Sequence, residues 1–234
     1  MTVPEIKSEL RKYASAKKAA LLRGFFKTGQ GEYGEGDVFI GVKVPETRKV
    51  AVLYADLSRK DTLALLASPI HEERLLALLI LIRQYENGDG KERAGIVETY
   101  LKNTRHTNNW DLIDLSAHKI LGHWLKDRDR SILEKLARSE SMWERRISIV
   151  ATYAFIREND LKDTFHIADI LISDTEDLMH KATGWMLREA GKRDVIALEE
   201  YLQTRYQKMP RTMLRYAIER LPEPKRRAYL LGKI

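Results

Sequence analysis

The chain has 234 residues, of which 44% are hydrophobic and 32% charged, so it can bury a sizeable core. It has no cysteine, which excludes disulfides, thiolate metal sites and a cysteine nucleophile. No apolar stretch approaches the length of a membrane span, and the formal net charge of +7 favours an anionic partner such as nucleic acid.

In chain order, the charged, amphipathic N-terminus predicts a helix over residues 4–23. It lacks the uninterrupted apolar core and the small-residue cleavage site of a secretory signal. With no cysteine in the chain, a cytoplasmic location is the default expectation. The segment FFKTGQGEYGEGDVFIGVKVP then interrupts the pattern, with five glycines between Thr28 and Val42, and reads as a loop. Gly29, Gly31 and Gly34 match G-x-G-x-x-G literally. No buried strand precedes them and the nearby acids would repel a pyrophosphate, so the match reads as turns. Strand-like alternation is confined to DVFIGVKV.

A new helix starts at Pro45 and runs to about Asp56. From Ser58 onward helices alternate with short polar breaks, with Ser58, Ser68, Asp129, Ser141, Asp160 and Asp174 at or beside the N-caps. No Pro/Ser-rich linker divides the chain, so residues 1–234 read as a single domain. Residues 205–234 carry nine Lys/Arg against Glu219 and Glu223, an excess equal to that of the whole chain. This tail reads either as a nucleic-acid face or as a solvated helical end.

Five of the amphipathic runs share one register: Arg74, Asp111, Arg146, Lys181 and Arg215, spaced by 37, 35, 35 and 34 residues. A period of this size with two helices per repeat predicts an all-α fold, an α-solenoid of helical hairpins in one curved domain. With the register set at zero, Trp110, Asp114, Trp185 and Arg188 fall between about −100° and +40° on the helical wheel, and Arg146 at 0°. If the repeats are equivalent, two tryptophans, an aspartate and two arginines point into one groove. The bland alternative for each tryptophan is a core position.

The histidines form no H-E-x-x-H pattern, and His118 and His123, five apart, suit no usual zinc pair. No G-x-S-x-G elbow is present. The expectation is no metal and no nucleotide or flavin cofactor.

The segments NNWDLIDLSAHKILGHWL, WERRISIVATYAFI and MHKATGWMLREAGK resemble those of the AlkD-like DNA alkylation repair proteins, which are HEAT-like repeat DNA glycosylases that excise N3- and N7-alkylated purines. The likeness spans most of the chain, including the glycine-rich segment. It implies Asp114 as the catalytic aspartate, Trp110 and Trp185 as the lesion-facing tryptophans, and Arg146 and Arg188 as phosphate contacts. Where the best-known members place a tyrosine against the lesion strand, this chain offers Phe25 or Phe26, with Phe25 the candidate. Lys181 and Arg215 in the register, and Arg211 in the basic tail, are further candidate DNA contacts. The resemblance implies action on duplex DNA without flipping the base; a monomer associated with the nucleoid is the accompanying expectation. Two rivals use the same fold: an inert DNA-binding protein recognising unusual DNA structure, and a protein–protein adaptor.

Overall fold

A computed structural model describes residues 2–234. Every regular element among the described residues is helical, and the extended backbone makes one isolated bridge, Val38 to Ile70. The chain gathers into two compact units, Met1–Leu112 and Ile113–Ile234.

The first unit holds α1 (Val3–Arg11), α2 (Ala16–Phe25), α3 (Val44–Leu53), α4 (Arg59–Leu66), α5 (His71–Asn87) and α6 (Gly90–Lys102), then a 3-10 turn at Thr104–His106 and the start of α7 (Trp110–Ser116). Its centre is α5. The run LLALLILI is apolar on every side, and a helix of that kind must be enclosed by its neighbours. Here α3, α4 and α6 pack around it, and residues 71–82 are all buried.

The helix predicted over 4–23 is in fact two. α1 ends at Arg11, and Ser15 starts α2, its hydroxyl accepting from the Lys18 amide. The Ser15 amide donates to the Ile40 carbonyl, so the break is fixed by the glycine-rich loop rather than by a local breaker. Gly41, at φ +81°, lies against α2, where a Cβ would meet the Ser15 carbonyl at 2.2 Å. DVFIGVKV forms no strand, because its donors are taken elsewhere. The Ile40, Gly41 and Val42 amides all point at the buried Glu72 carboxylate, at 2.7–3.2 Å.

The second unit completes α7, passes through a π-helical turn at His118–Gly122, and continues with α8 (Ser131–Ala137), α9 (Met142–Ala151), α10 (Tyr153–Ile156), α11 (Lys162–Ile170), α12 (Asp177–Arg193), α13 (Val195–Gln203), α14 (Arg211–Ala217) and α15 (Glu223–Leu231). Hairpin partners α8–α9, α11–α12 and α12–α13 pack together, and α12 lies against both α9 and α14. The five register positions fall in α5, α7, α9, α12 and α14, with other helices between them. This is the alternation of an α-solenoid, as the period predicts. The α12–α14 approach is close because position 184 is glycine: a Cβ there would sit 2.4 Å from the Met213 carbonyl.

Candidate functional site

The first turn of α5 begins with four consecutive polar residues, His71, Glu72, Glu73 and Arg74, and all four are buried. Burial of charge at this density requires a partner for each. Glu73 accepts from Lys7 (2.8 Å), Arg11 (3.0 Å) and Ser68 (2.6 Å). Glu72 accepts the three loop amides. Arg74 donates to the Asp37 carboxylate (2.5 Å) and to the Ser68 and Pro69 carbonyls. His71 lies between two carboxylates, with Nδ1 3.1 Å from Asp37 and Nε2 2.8 Å from Asp111. Asp37 also accepts from Asn109 (2.9 Å), whose own side-chain oxygen accepts from the Trp110 amide (2.8 Å). The segment carrying Trp110 is therefore tied to the glycine-rich loop.

These contacts shift two acidities. Burial disfavours charge on His71, but hydrogen bonds to Asp111 and Asp37 outweigh it and hold the imidazole above its ordinary value. Burial likewise opposes ionisation of Asp37, yet His71, Arg74 and Asn109 bring its carboxyl below the ordinary value.

Aromatic rings surround the same segment. Phe26 stacks on Trp110 (centroids 5.2 Å apart) and on Phe39 (5.0 Å), and Phe39 stacks on His71 (4.5 Å). Phe25 meets Trp110 edge-on at 5.8 Å. The two phenylalanines differ in exposure: Phe26 is 6% exposed and part of the core, whereas Phe25 is 63% exposed. Of the pair, Phe25 is the one that can meet a ligand. An apolar hollow of about 520 Å³ lies here, lined by Leu21, Phe25, Phe26, Phe39, Trp110 and Asp111 among others.

In the second unit, Arg146 binds Asp114 bidentately, Nε to Oδ1 at 2.9 Å and Nη2 to Oδ2 at 2.8 Å. Its Nη1 donates to the Leu178 carbonyl at 2.7 Å. The guanidinium is 5% exposed and the carboxylate 20%. The arginine is thus a buried brace and Asp114 the part that solvent reaches. Asp111, three residues before Asp114, pairs with His71 instead.

Trp185 is half-buried beside Tyr153 (6.3 Å), and its indole donates to Glu189 at 3.2 Å. Glu189 also accepts from Arg188 and Lys192, and Arg188 pairs with Glu219. His118 faces Tyr153 edge-on at 5.4 Å, and burial pushes its imidazole down to about 4, so it is neutral at physiological pH. Lys181 pairs with Asp177 (2.7 Å). Arg211 donates to the Leu230 carbonyl and, like Arg215, is exposed. In the glycine-rich loop the Gly29 and Gly31 amides accept no phosphate role, since the Glu32 and Glu35 carboxylates occupy them at 2.8 Å.

Residues 6–221 match the model of a protein family described as DNA alkylation repair enzyme. The chain belongs to that family. Among solved structures, a predicted DNA alkylation repair enzyme from Enterococcus faecalis is similar at 15% identity and a TM-score of 0.68, over 90% of this chain and 97% of that one. At this identity the likeness speaks for the fold. No curated protein matches the chain significantly.

Within this DNA alkylation repair family member, several polar residues around the candidates carry no sequence motif of their own: Asp37, His71, Asn109 and Glu189. One signal could have found the α5 set. Four polar residues directly before a helix apolar all round must be buried with it, and so must be partnered.

Proposed function

We propose that the protein is a DNA glycosylase that releases N3- and N7-alkylated purines from duplex DNA, with Asp114 as the catalytic carboxylate. The observation that carries this reading is the Asp114–Arg146 pair: a carboxylate held in one orientation by a buried bidentate arginine and still 20% exposed. A carboxylate has about four lone-pair sites, and the two Arg146 hydrogen bonds fix the orientation in which the group would face water or a developing positive charge.

The chemistry follows from the substrate. Alkylation at N3 or N7 makes the purine cationic. As the glycosidic bond breaks, its electron pair leaves with the base, which becomes neutral, and the sugar takes on oxocarbenium character. Asp114 stabilises that charge and orients water toward C1′; the water adds and gives up a proton, leaving free base and an abasic site. A cationic base needs no acid to leave, so the second carboxylate of most glycosidases is not required. Trp110 and Trp185 offer indole faces to the cation. Neutral His118 adds no opposing charge. In this reading Arg146 acts through Asp114, while Arg188, Lys181, Arg211 and Arg215 meet phosphates and Phe25 meets the lesion strand. The deciding experiment is incubation of the protein with duplex DNA carrying 7-methylguanine, followed by assay for free base. Binding without release would instead support the inert DNA-binding reading.

Two further results are expected. Duplex affinity falls with salt, each phosphate contact adding about −0.9 to the slope of log K against log salt. Titration of a fluorescent duplex checks this, and a flat response removes nucleic acid as the partner. Trp185→Ala slows single-turnover excision by about 2- to 30-fold, the equivalent of about 0.5–2 kcal/mol of cation–indole attraction. Affinity for undamaged duplex changes less, since that DNA carries no cationic base. Equal losses in both assays would return Trp185 to a packing role.

A further inference from the structure

Of the buried ionisable groups among the described residues, His71 is the one enclosed by two carboxylates and joined to a residue of the proposed site. We propose that His71 is a positioning residue: as an imidazolium clamped between Asp37 and Asp111, it holds the aromatic stack that sets the orientation of the Trp110 indole. This rests on the reading of Trp110 as lesion-facing.

The geometry demands the charged form. His71 is 2% exposed, and each ring nitrogen faces a carboxylate oxygen, at 3.1 and 2.8 Å. A neutral imidazole has one N–H, so its other nitrogen would turn a lone pair toward an anion. Only the imidazolium donates to both.

Among the described residues the surrounding charges give no substitute: Lys18 and Lys43 line the same hollow, yet the ion-pair partner of Asp111 is His71. Arg74, on the same helix, is directed at Asp37 and not at Asp111. Glu72 and Glu73 are engaged by the loop amides and by Lys7, Arg11 and Ser68. Asp111 Oδ1 is buried with no hydrogen-bond partner among the described residues, so His71 is the group that compensates this carboxylate. Loss of one His71 proton leaves one of the two carboxylates facing an imidazole lone pair and removes the positive charge between them, an unfavourable state.

Two arms run from this clamp to Trp110. One is the ring stack His71–Phe39–Phe26–Trp110, with centroid spacings of 4.5, 5.0 and 5.2 Å. An imidazolium against the Phe39 face adds cation–π attraction to it. The other is Asp37 through Asn109 to the Trp110 amide. The sign follows from the raised pKa: the clamp is complete below the ordinary histidine value of 6.5 and is released as pH rises through the higher folded value.

The test is a titration of the whole protein, labelled with 15N in its histidine rings and tryptophan indoles, from about pH 5 to about pH 9. Trp110→Phe identifies the Trp110 signal. The expected result is a His71 midpoint above 6.5 and a Trp110 indole shift with the same midpoint. In His71→Gln, which folds by thermal melt, the Trp110 signal loses that dependence. If His71→Gln does not fold, Asp111→Asn serves: it lowers the His71 midpoint, and the Trp110 shift follows it. The proposal is overturned if His71 titrates below 6.5, or if the Trp110 signal does not move with His71. Base release by the wild type falls about tenfold across the same midpoint, short of the ~10²-fold that a misplacement of about an ångström can cost. A protein that releases no base yet shows the coupled titration keeps the clamp and sinks the glycosylase reading.

Discussion

Asp114→Asn is expected to cut release of 7-methylguanine by about 10²-fold or more, the loss typical of removing an electrostatic catalyst. The substitution keeps the side chain's size but removes the charge and turns one oxygen into an N–H₂ donor. One of the two Arg146 hydrogen bonds then becomes donor against donor, so some stability is lost with it. Activity therefore has to be compared at a temperature where circular dichroism shows the variant folded. Asp56→Asn, an exposed aspartate in the first unit, makes the same change in charge without touching the proposed machinery. The decisive comparison is the single-turnover rate of the two variants. Equal rates would remove Asp114 from catalysis and leave the inert DNA-binding reading as the better one.

The largest stability effect is expected at Asp37. Asp37→Ala removes the acceptor shared by His71, Arg74 and Asn109 and leaves Arg74 buried with its charge uncompensated. Breaking a buried pair from one side costs about 3–5 kcal/mol. Urea denaturation measures it, and a loss below about 1 kcal/mol, the range of exposed pairs, would refute the buried-network account. The pH dependence is equally specific. The Asp37 carboxyl is held below its unfolded value, so its contribution is present above 3.8 and lost as pH falls through the folded value. The His71 contribution is present below 6.5 and lost as pH rises through its folded value. The stability gap between wild type and Asp37→Ala is therefore widest between those two unfolded values and narrows on either side.

The helical repeat was legible in the sequence because it is written in local terms. Buried apolar positions recur along each helix, and Arg74, Asp111, Arg146, Lys181 and Arg215 recur at a steady spacing, in α5, α7, α9, α12 and α14. The partners of those residues were not legible. Arg146 meets Asp114 across 32 residues and Arg74 meets Asp37 across 37, and such pairings depend on how helices stack rather than on any periodicity. The same holds for the strand-like stretch DVFIGVKV, three of whose amides turn to a glutamate 30 to 32 residues on. Phe25 and Phe26 are adjacent at the end of α2, and nothing in their identity says which one faces out. The break at Tyr13–Ser15 contains neither glycine nor proline, so periodicity ran through it. Only Ser15, a good cap, hinted at a new start.

The four polar residues that open α5 also govern how the first unit comes apart. Between them they hold α1 through Lys7 and Arg11, the loop amides at 40–42, Asp37, and the start of α7 through Asp111. Detaching any one of these segments strands a charge inside the unit, so none can fray cheaply by itself. The glycine-rich stretch lacks regular secondary structure, yet its 40–42 amides open to solvent only with the helix that holds them. A segment that looks like a loose connector is, in energetic terms, part of the same cooperative block as the most buried helix of the unit.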